Sequence, residues 1–168
     1  MLKIPLLYIK DKQVFTKEGG ILRLVGKPLD VAKELKKKGY KLLHIVDLNA
    51  ITGRNTNLDV YDGLTYFINV QVECAPKIEI ISKLMVLKCR VVLPPAEFDI
   101  GGLINSNLMV CKVPKGYGGN ADLFRDVILE SFSEAEAKRF TKLGKRIIIH
   151  EAQMSKKLKV WGVILSHF

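Results

Sequence analysis

No apolar run in this chain reaches the roughly 18 residues that a helix needs to span a bilayer. The start, Met1-Leu2-Lys3-Ile4-Pro5, lacks the layout of a secretion signal, so the expectation is a cytoplasmic protein with no membrane partner. Cysteine is scarce: Cys74, Cys89 and Cys111 lie far apart, with no Cys-x-x-Cys spacing. That argues against a disulfide framework or a structural metal and fits buried thiols in a reducing compartment. Aromatic residues seldom alternate with the basic ones, as a stacking surface for single-stranded nucleic acid requires. Neither the Walker spacing nor the dinucleotide fingerprint occurs, and no cofactor is expected.

What is present is a chain of 168 residues, 48% apolar and 26% charged, with a formal charge of +10. This is the profile of a folded globular protein, read most simply as one domain over residues 1–168. The positive charge gathers on expected helix faces, at Lys33, Lys36, Lys37 and Lys38 and again at Lys138, Arg139 and Lys142. Solvated helix faces are the stronger reading, and nucleic-acid binding through them is the weaker alternative. The Lys-rich, Gln-poor composition is compatible with a thermophile.

Short apolar segments alternate with helical ones. Strands are expected at Ile4–Ile9, Lys41–Leu48, Phe67–Val72, Arg90–Leu93, Leu108–Val113, Ile147–Glu151 and Val160–Leu165. Helices are expected from Pro28 to Gly39, at Leu58–Leu64, Lys77–Leu87, Leu123–Phe132 and Glu134–Leu143, the last behind a Ser133/Glu136 capping box. Ala96–Asn107 reads as irregular. This alternation predicts βαβ units and a parallel sheet, either a barrel or doubly wound. A faint repeat relates Ala32 through Asp47 to Ala137 through Glu151 if one residue is deleted before Glu151; without the deletion, Ala152 falls opposite Asp47.

The most informative stretch is Leu43-His44-Ile45-Val46-Asp47-Leu48, followed by Asn49 through Leu58 with Gly53 and Arg54 in the loop. Together with Ile4-Pro5-Leu6-Leu7-Tyr8-Ile9-Lys10-Asp11, the helix from Asp30 to Gly39, and Arg90-Val91-Val92-Leu93, it resembles the histidine-biosynthesis (βα)8-barrel isomerases of the HisA/HisF type. Ala137-Lys138-Arg139-Phe140 through Ile149 resembles a helix and sixth strand of the second half. The resemblance implies a TIM-type parallel α/β barrel. It also implies an aminoaldose–aminoketose isomerisation of a phosphoribosyl substrate, with one carboxylate at the end of strand one and another at the end of strand five.

Here those carboxylates fall on Tyr8 and Lys112, whose ordinary pKa values lie near 10. The family's phosphate turn after strand three falls on Glu73-Cys74-Ala75-Pro76, where Glu73 repels an anion and Pro76 has no N–H. With seven strands counted, an eighth strand and the second phosphate site are missing. The expectation is therefore a barrel shortened to about seven strands, divergent from the isomerases and acting as a binding or assembly protein. An enzyme with altered chemistry (an isomerase or lyase) on a phosphorylated or carbonyl metabolite is the alternative. An open parallel edge would favour a homo-oligomer.

Candidate pocket residues are Tyr8, Asp47, Lys112 and Glu151. Asp47 is a pocket acid or an organiser of its loop. Lys112 is a Schiff-base amine or a lysine reaching solvent. Tyr8 is a pocket or core aromatic. His150 and Glu151 cannot both face the pocket, and His44 reads as structural. Gly116-Tyr117-Gly118-Gly119 is a flexible loop or an anion cradle.

Overall fold

The computed structural model describes residues 1–95, 105–155 and 157–168. In chain order it contains β1 (Leu2–Lys10), β2 (Gln13–Glu18), β3 (Ile21–Gly26), α1 (Pro28–Lys37), β4 (Leu42–Asp47), α2 (Leu58–Leu64), β5 (Asn69–Glu73), α3 (Ile78–Val86), β6 (Arg90–Leu93), β7 (Met109–Val113), β8 (Asp126–Leu129), α4 (Glu134–Lys142), β9 (Arg146–His150) and β10 (Gly162–Leu165). Local chemistry sets the helix limits. Pro28 opens α1, Asp30 lies in its first turn and Lys36 and Lys37 in its last, in accord with the helix dipole. At the start of α4 the Ser133 side chain accepts the Glu136 amide at 3.1 Å. The Glu136 carboxylate turns instead to Arg139, so only half of the expected capping box forms.

Eight parallel strands close into a barrel, in the order β1, β4, β5, β6, β7, β8, β9, β10 and back to β1. This is the expected TIM-type α/β barrel. Closure comes from β10 pairing parallel to β1, with Leu2 opposite Gly162 and Ile4 opposite Ile164. A Cβ on Gly162 would come within 2.8 Å of Ile4 Cδ1, so glycine permits this seam to close tightly. The β2–β3 hairpin extends β1 outside the barrel.

The strand count differs from the expected seven because Leu123–Phe132 is not a helix. Its centre is β8, four residues all buried. A continuous buried apolar run has no periodicity to separate strand from helix, and Asp126-Val127-Ile128-Leu129 is short and β-branched. The strands expected as sixth and seventh are therefore seventh (β9) and eighth (β10). The open parallel edge that motivated self-association does not exist. The repeat now relates the second strand, β4, to the seventh, β9, and so is not a half-barrel symmetry. Most of the expected irregular segment, residues 96–104, lies outside the described residues.

Alternate residues of each strand face opposite layers. Leu43, Ile45, Val70, Val72, Ile147 and Ile149 pack outward with helix residues such as Ile81, Leu84 and Phe140. Ile4, Leu42, Val92, Val110, Ile128, Ile148 and Ile164 fill the lumen. Any polar residue in the inward register near a strand's carboxyl end therefore faces the barrel mouth.

Candidate functional site

Among the described residues, six such side chains line one cavity. Tyr8 on β1, His44 on β4, Glu73 on β5, Lys112 on β7, Glu130 just past β8 and His150 on β9 line one cavity of about 220 Å³. Leu6, Val46 and Ile128 complete its wall.

Lys112 is its centre. Its Nζ lies 2.7 Å from Glu73 Oε1 and 3.8 Å from Glu130 Oε1. Burial disfavours the ammonium, but the hydrogen bond and charge of Glu73, with Glu130 behind it, raise the Lys112 pKa overall. Burial likewise opposes ionisation of Glu73, yet His44 and Lys112 outweigh it and bring the carboxyl down to about 2. Glu130 is also lowered, by the His150 ring and by Lys112 against the opposing effect of burial. Burial first, and then the Glu73 charge, raise the Tyr8 phenol. Near neutral pH the site holds an ammonium between two carboxylates, beside a neutral phenol.

A buried chain beneath this cluster sets the His44 ring. Arg90 Nε donates to Gln71 Oε1 at 3.3 Å, which turns the Gln71 amide NH₂ towards His44 Nδ1, 2.8 Å away. Nδ1 is then the acceptor and the ring proton sits on Nε2, which faces Glu73 Oε2 at 3.6 Å. Burial lowers the His44 pKa, so the ring is neutral. Lower in the lumen, fully buried Asp126 pairs with Arg90 and Arg146. Both guanidinium groups lie over the Trp161 ring, Arg146 at 3.8 Å and Arg90 at 5.3 Å.

Of the sequence-based candidates, Tyr8 and Lys112 meet in the cavity, whereas Asp47 and Glu151 do not. Asp47 follows outward-facing Leu43 and Ile45 in register, so it points away from the lumen. Its Oδ1 accepts the amides of Asn49 (3.0 Å) and Ala50 (2.8 Å) and Asn57 Nδ2 (3.0 Å), and its Oδ2 accepts the Tyr61 hydroxyl (2.7 Å). Asn49 and Asn57 in turn accept the amides of Asp11 and Lys12, each at 2.9 Å. The motif thus ties the β1–β2 turn to the β4–α2 loop, and Asp47 organises that loop.

Glu151 is exposed beyond the end of β9, and His150 takes the inward position. The one-residue deletion is the alignment that keeps inward and outward faces matched, and it pairs Glu151 with outward-facing Asp47. The Gly116–Gly119 loop precedes a strand, so no helix start backs an anion cradle there. Arg139 donates to the carbonyls of Gly119 (2.8 Å) and Tyr117 (3.2 Å) and holds the loop against α4.

His44, Glu73 and Glu130 were not picked out by sequence as members of a pocket. The inward register of His44 with Val46 was available once the strand was placed. Glu130 was hidden because its strand reads as a helix.

Residues 4–83 match the family model described as Histidine biosynthesis protein. The N-terminal part of the chain is thus similar to histidine-biosynthesis barrel sequences. It is similar to the phosphoribosyl imidazole-4-carboxamide isomerase of Nitrosopumilus maritimus, 36% identical over 74 residues that cover 42% of this chain and 31% of that protein. The corresponding isomerase of Methanocaldococcus jannaschii is 35% identical over 77 residues, 44% of this chain and 32% of that one. An uncharacterised protein of the same organism is 26% identical over 135 residues, 62% and 60% of the two chains. The matches to the isomerases thus span only about a third of those proteins. Among solved structures, HydG, a maturase of the FeFe-hydrogenase, superposes on 97% of this chain and 56% of its own, with a TM-score of 0.57 and 11% identity, a likeness of fold alone. Among the described residues no helix is long and apolar enough to cross a membrane, and no group of three His, Cys, Asp or Glu residues could hold a metal.

Proposed function

We propose that this histidine-biosynthesis-type barrel does not carry out the aminoaldose–aminoketose isomerisation and that its mouth is a binding site for a small polar ligand. The observation that carries this reading is the state of Tyr8 and Lys112, which occupy the positions expected of the two carboxylates. Both hold their protons more tightly than usual in this cavity, so neither is a general base near neutral pH. Size supports the same reading. A cavity of about 220 Å³ falls below the range of roughly 300–1,000 Å³ typical of sites for larger ligands.

The alternative of Schiff-base chemistry at Lys112 needs a neutral amine. The Glu73 contact keeps this amine protonated, so borohydride with carbonyl compounds should leave Lys112 unmodified. The decisive assay offers the phosphoribosyl aminoaldose to the purified protein and follows the ketose product. No turnover above background is expected. Turnover that disappears in Tyr8→Phe or Lys112→Ala would overturn the proposal.

A further inference from the structure

We infer that the amino-end face of the barrel, opposite the mouth, binds single-stranded nucleic acid, with Tyr66 stacked on a base and lysines on the phosphates. This goes beyond the reading of the mouth and does not depend on it. Along the chain, aromatic residues seldom alternate with basic ones, which speaks against a stacking surface. The fold supplies the alternation that the residue order lacks. β1, β4 and β5 are parallel neighbours, so the segments that lead into them gather at one end of the barrel. α1 closes on Gly39 in the left-handed region (φ 93°). There the Gly39 N–H donates to the Lys36 carbonyl at 2.9 Å and the Tyr40 N–H to the Leu35 carbonyl at 3.2 Å. This turn sets Lys38, Tyr40 and Lys41 before β4. α2 packs beside α1 and ends at Leu64, and the turn into β5 brings Thr65, Tyr66 and Phe67 alongside.

Two adjoining clefts result, of about 310 and 400 Å³, and they share Tyr40 and Lys41. Lys36, Tyr66 and Phe67 line the first, and Lys3 and Lys38 line the second. Among the described residues no Asp or Glu lines either cleft, and Lys3, Lys36, Lys38 and Lys41 are exposed and enter no ion pair. Lys37, which lines neither, pairs with Glu34. The helix dipole accounts for Lys36 and Lys38 at the end of α1, but Lys3 on β1 and Lys41 before β4 serve no helix. A second observation is independent of charge. The Tyr66 side chain is 83% exposed at the rim of the first cleft. Beside it, Lys33 Nζ lies 5.1 Å over the Phe67 ring, so cation and aromatic face already interleave. A free flat ring flanked by unpaired ammonium groups matches a chain of phosphates that carries flat bases. An acidic peptide brings the charge without a ring to stack, and a duplex keeps its base faces within its own stack. The opposite end of the barrel is lined by Glu73 and Glu130 and offers no such surface. The overall charge of +10 draws a polyanion to the molecule, and these clefts give it a seat.

The test titrates the full chain into labelled oligothymidylate of about 12 nucleotides, the scale of one single-strand site, and reads fluorescence anisotropy over a series of salt concentrations. Phosphate contacts by four lysines predict that log K falls with log salt with a slope of about −3. Tyr66→Ala should weaken binding about tenfold, the loss of one base–aromatic stack, and leave the slope unchanged. The double variant Lys36→Gln/Lys41→Gln should bring the slope to about half. Lys10→Gln, an exposed lysine at the carboxyl end of β1, should keep both affinity and slope. Unchanged thermal unfolding of each variant separates these effects from loss of fold. Absence of binding at about 50 mM salt overturns the proposal. So does equal binding by Tyr66→Ala and the parent chain, or binding of polyphosphate, polyglutamate or duplex DNA as tight as that of the oligothymidylate. Any of these results leaves the reading of the mouth untouched.

Discussion

Replacing Asp47 with alanine distinguishes a residue that builds the fold from one that serves the site. The carboxylate is 2% exposed and accepts from two backbone amides, Asn57 and the Tyr61 hydroxyl. Hydrogen bonds to a charged acceptor contribute about 1.5–3 kcal/mol each, and a buried donor left unpaired costs about 1–3 kcal/mol. Tyr61 is 1% exposed and Asn57 equally buried, so water cannot easily replace the lost acceptor for either. Two stranded donors plus two weakened turn amides give a loss of about 4 kcal/mol after allowing for relaxation of the loop. In a domain of this size that corresponds to a Tm drop of roughly 8–16 °C. Asp47→Asn keeps one acceptor oxygen and should lose about half as much. The measurement is urea and thermal unfolding of both variants, with the amide chemical shifts of the mouth residues recorded under native conditions. A loss below about 1 kcal/mol together with displaced mouth shifts would refute the structural assignment and restore Asp47 as a pocket acid.

Two further perturbations examine the lumen. Glu73 has a folded-state pKa of about 2 against an ordinary 4.5, so its stabilisation is complete above about pH 4.5 and fades as pH falls towards 2. Glu73→Gln should therefore flatten the acid limb of the stability–pH curve by up to about 3 kcal/mol, and an unchanged limb would contradict the Lys112–Glu73 pairing. Asp126→Asn leaves Arg90 and Arg146 without their buried counter-charge and should cost about 3 kcal/mol in urea unfolding. It should also shift the emission of Trp161, the chain's single tryptophan, which both guanidinium groups cover. An unchanged spectrum would argue against the stacked arrangement.

Residue order was enough to read the alternation of strands and helices, the β4 strand with its loop and the starts of α1 and α4, and the family resemblance chose the barrel where alternation left a doubly wound sheet open. These features are local: apolar alternation, a proline at a helix start, and a motif carried within a few dozen residues. Closure of the barrel was not local. It depends on β8, whose four residues are buried on both faces and carry no period, and on Gly162 meeting Leu2 from the far end of the chain. Tertiary structure also decided which way each acid points. Asp47 and Glu73 each end a β-strand, yet register with Val46 turns Glu73 inward to Lys112 while Asp47 turns outward to Tyr61. A sequence can place an acid at the end of a strand, but the face it occupies follows from the pleat and from the partner strands, which come from distant parts of the chain.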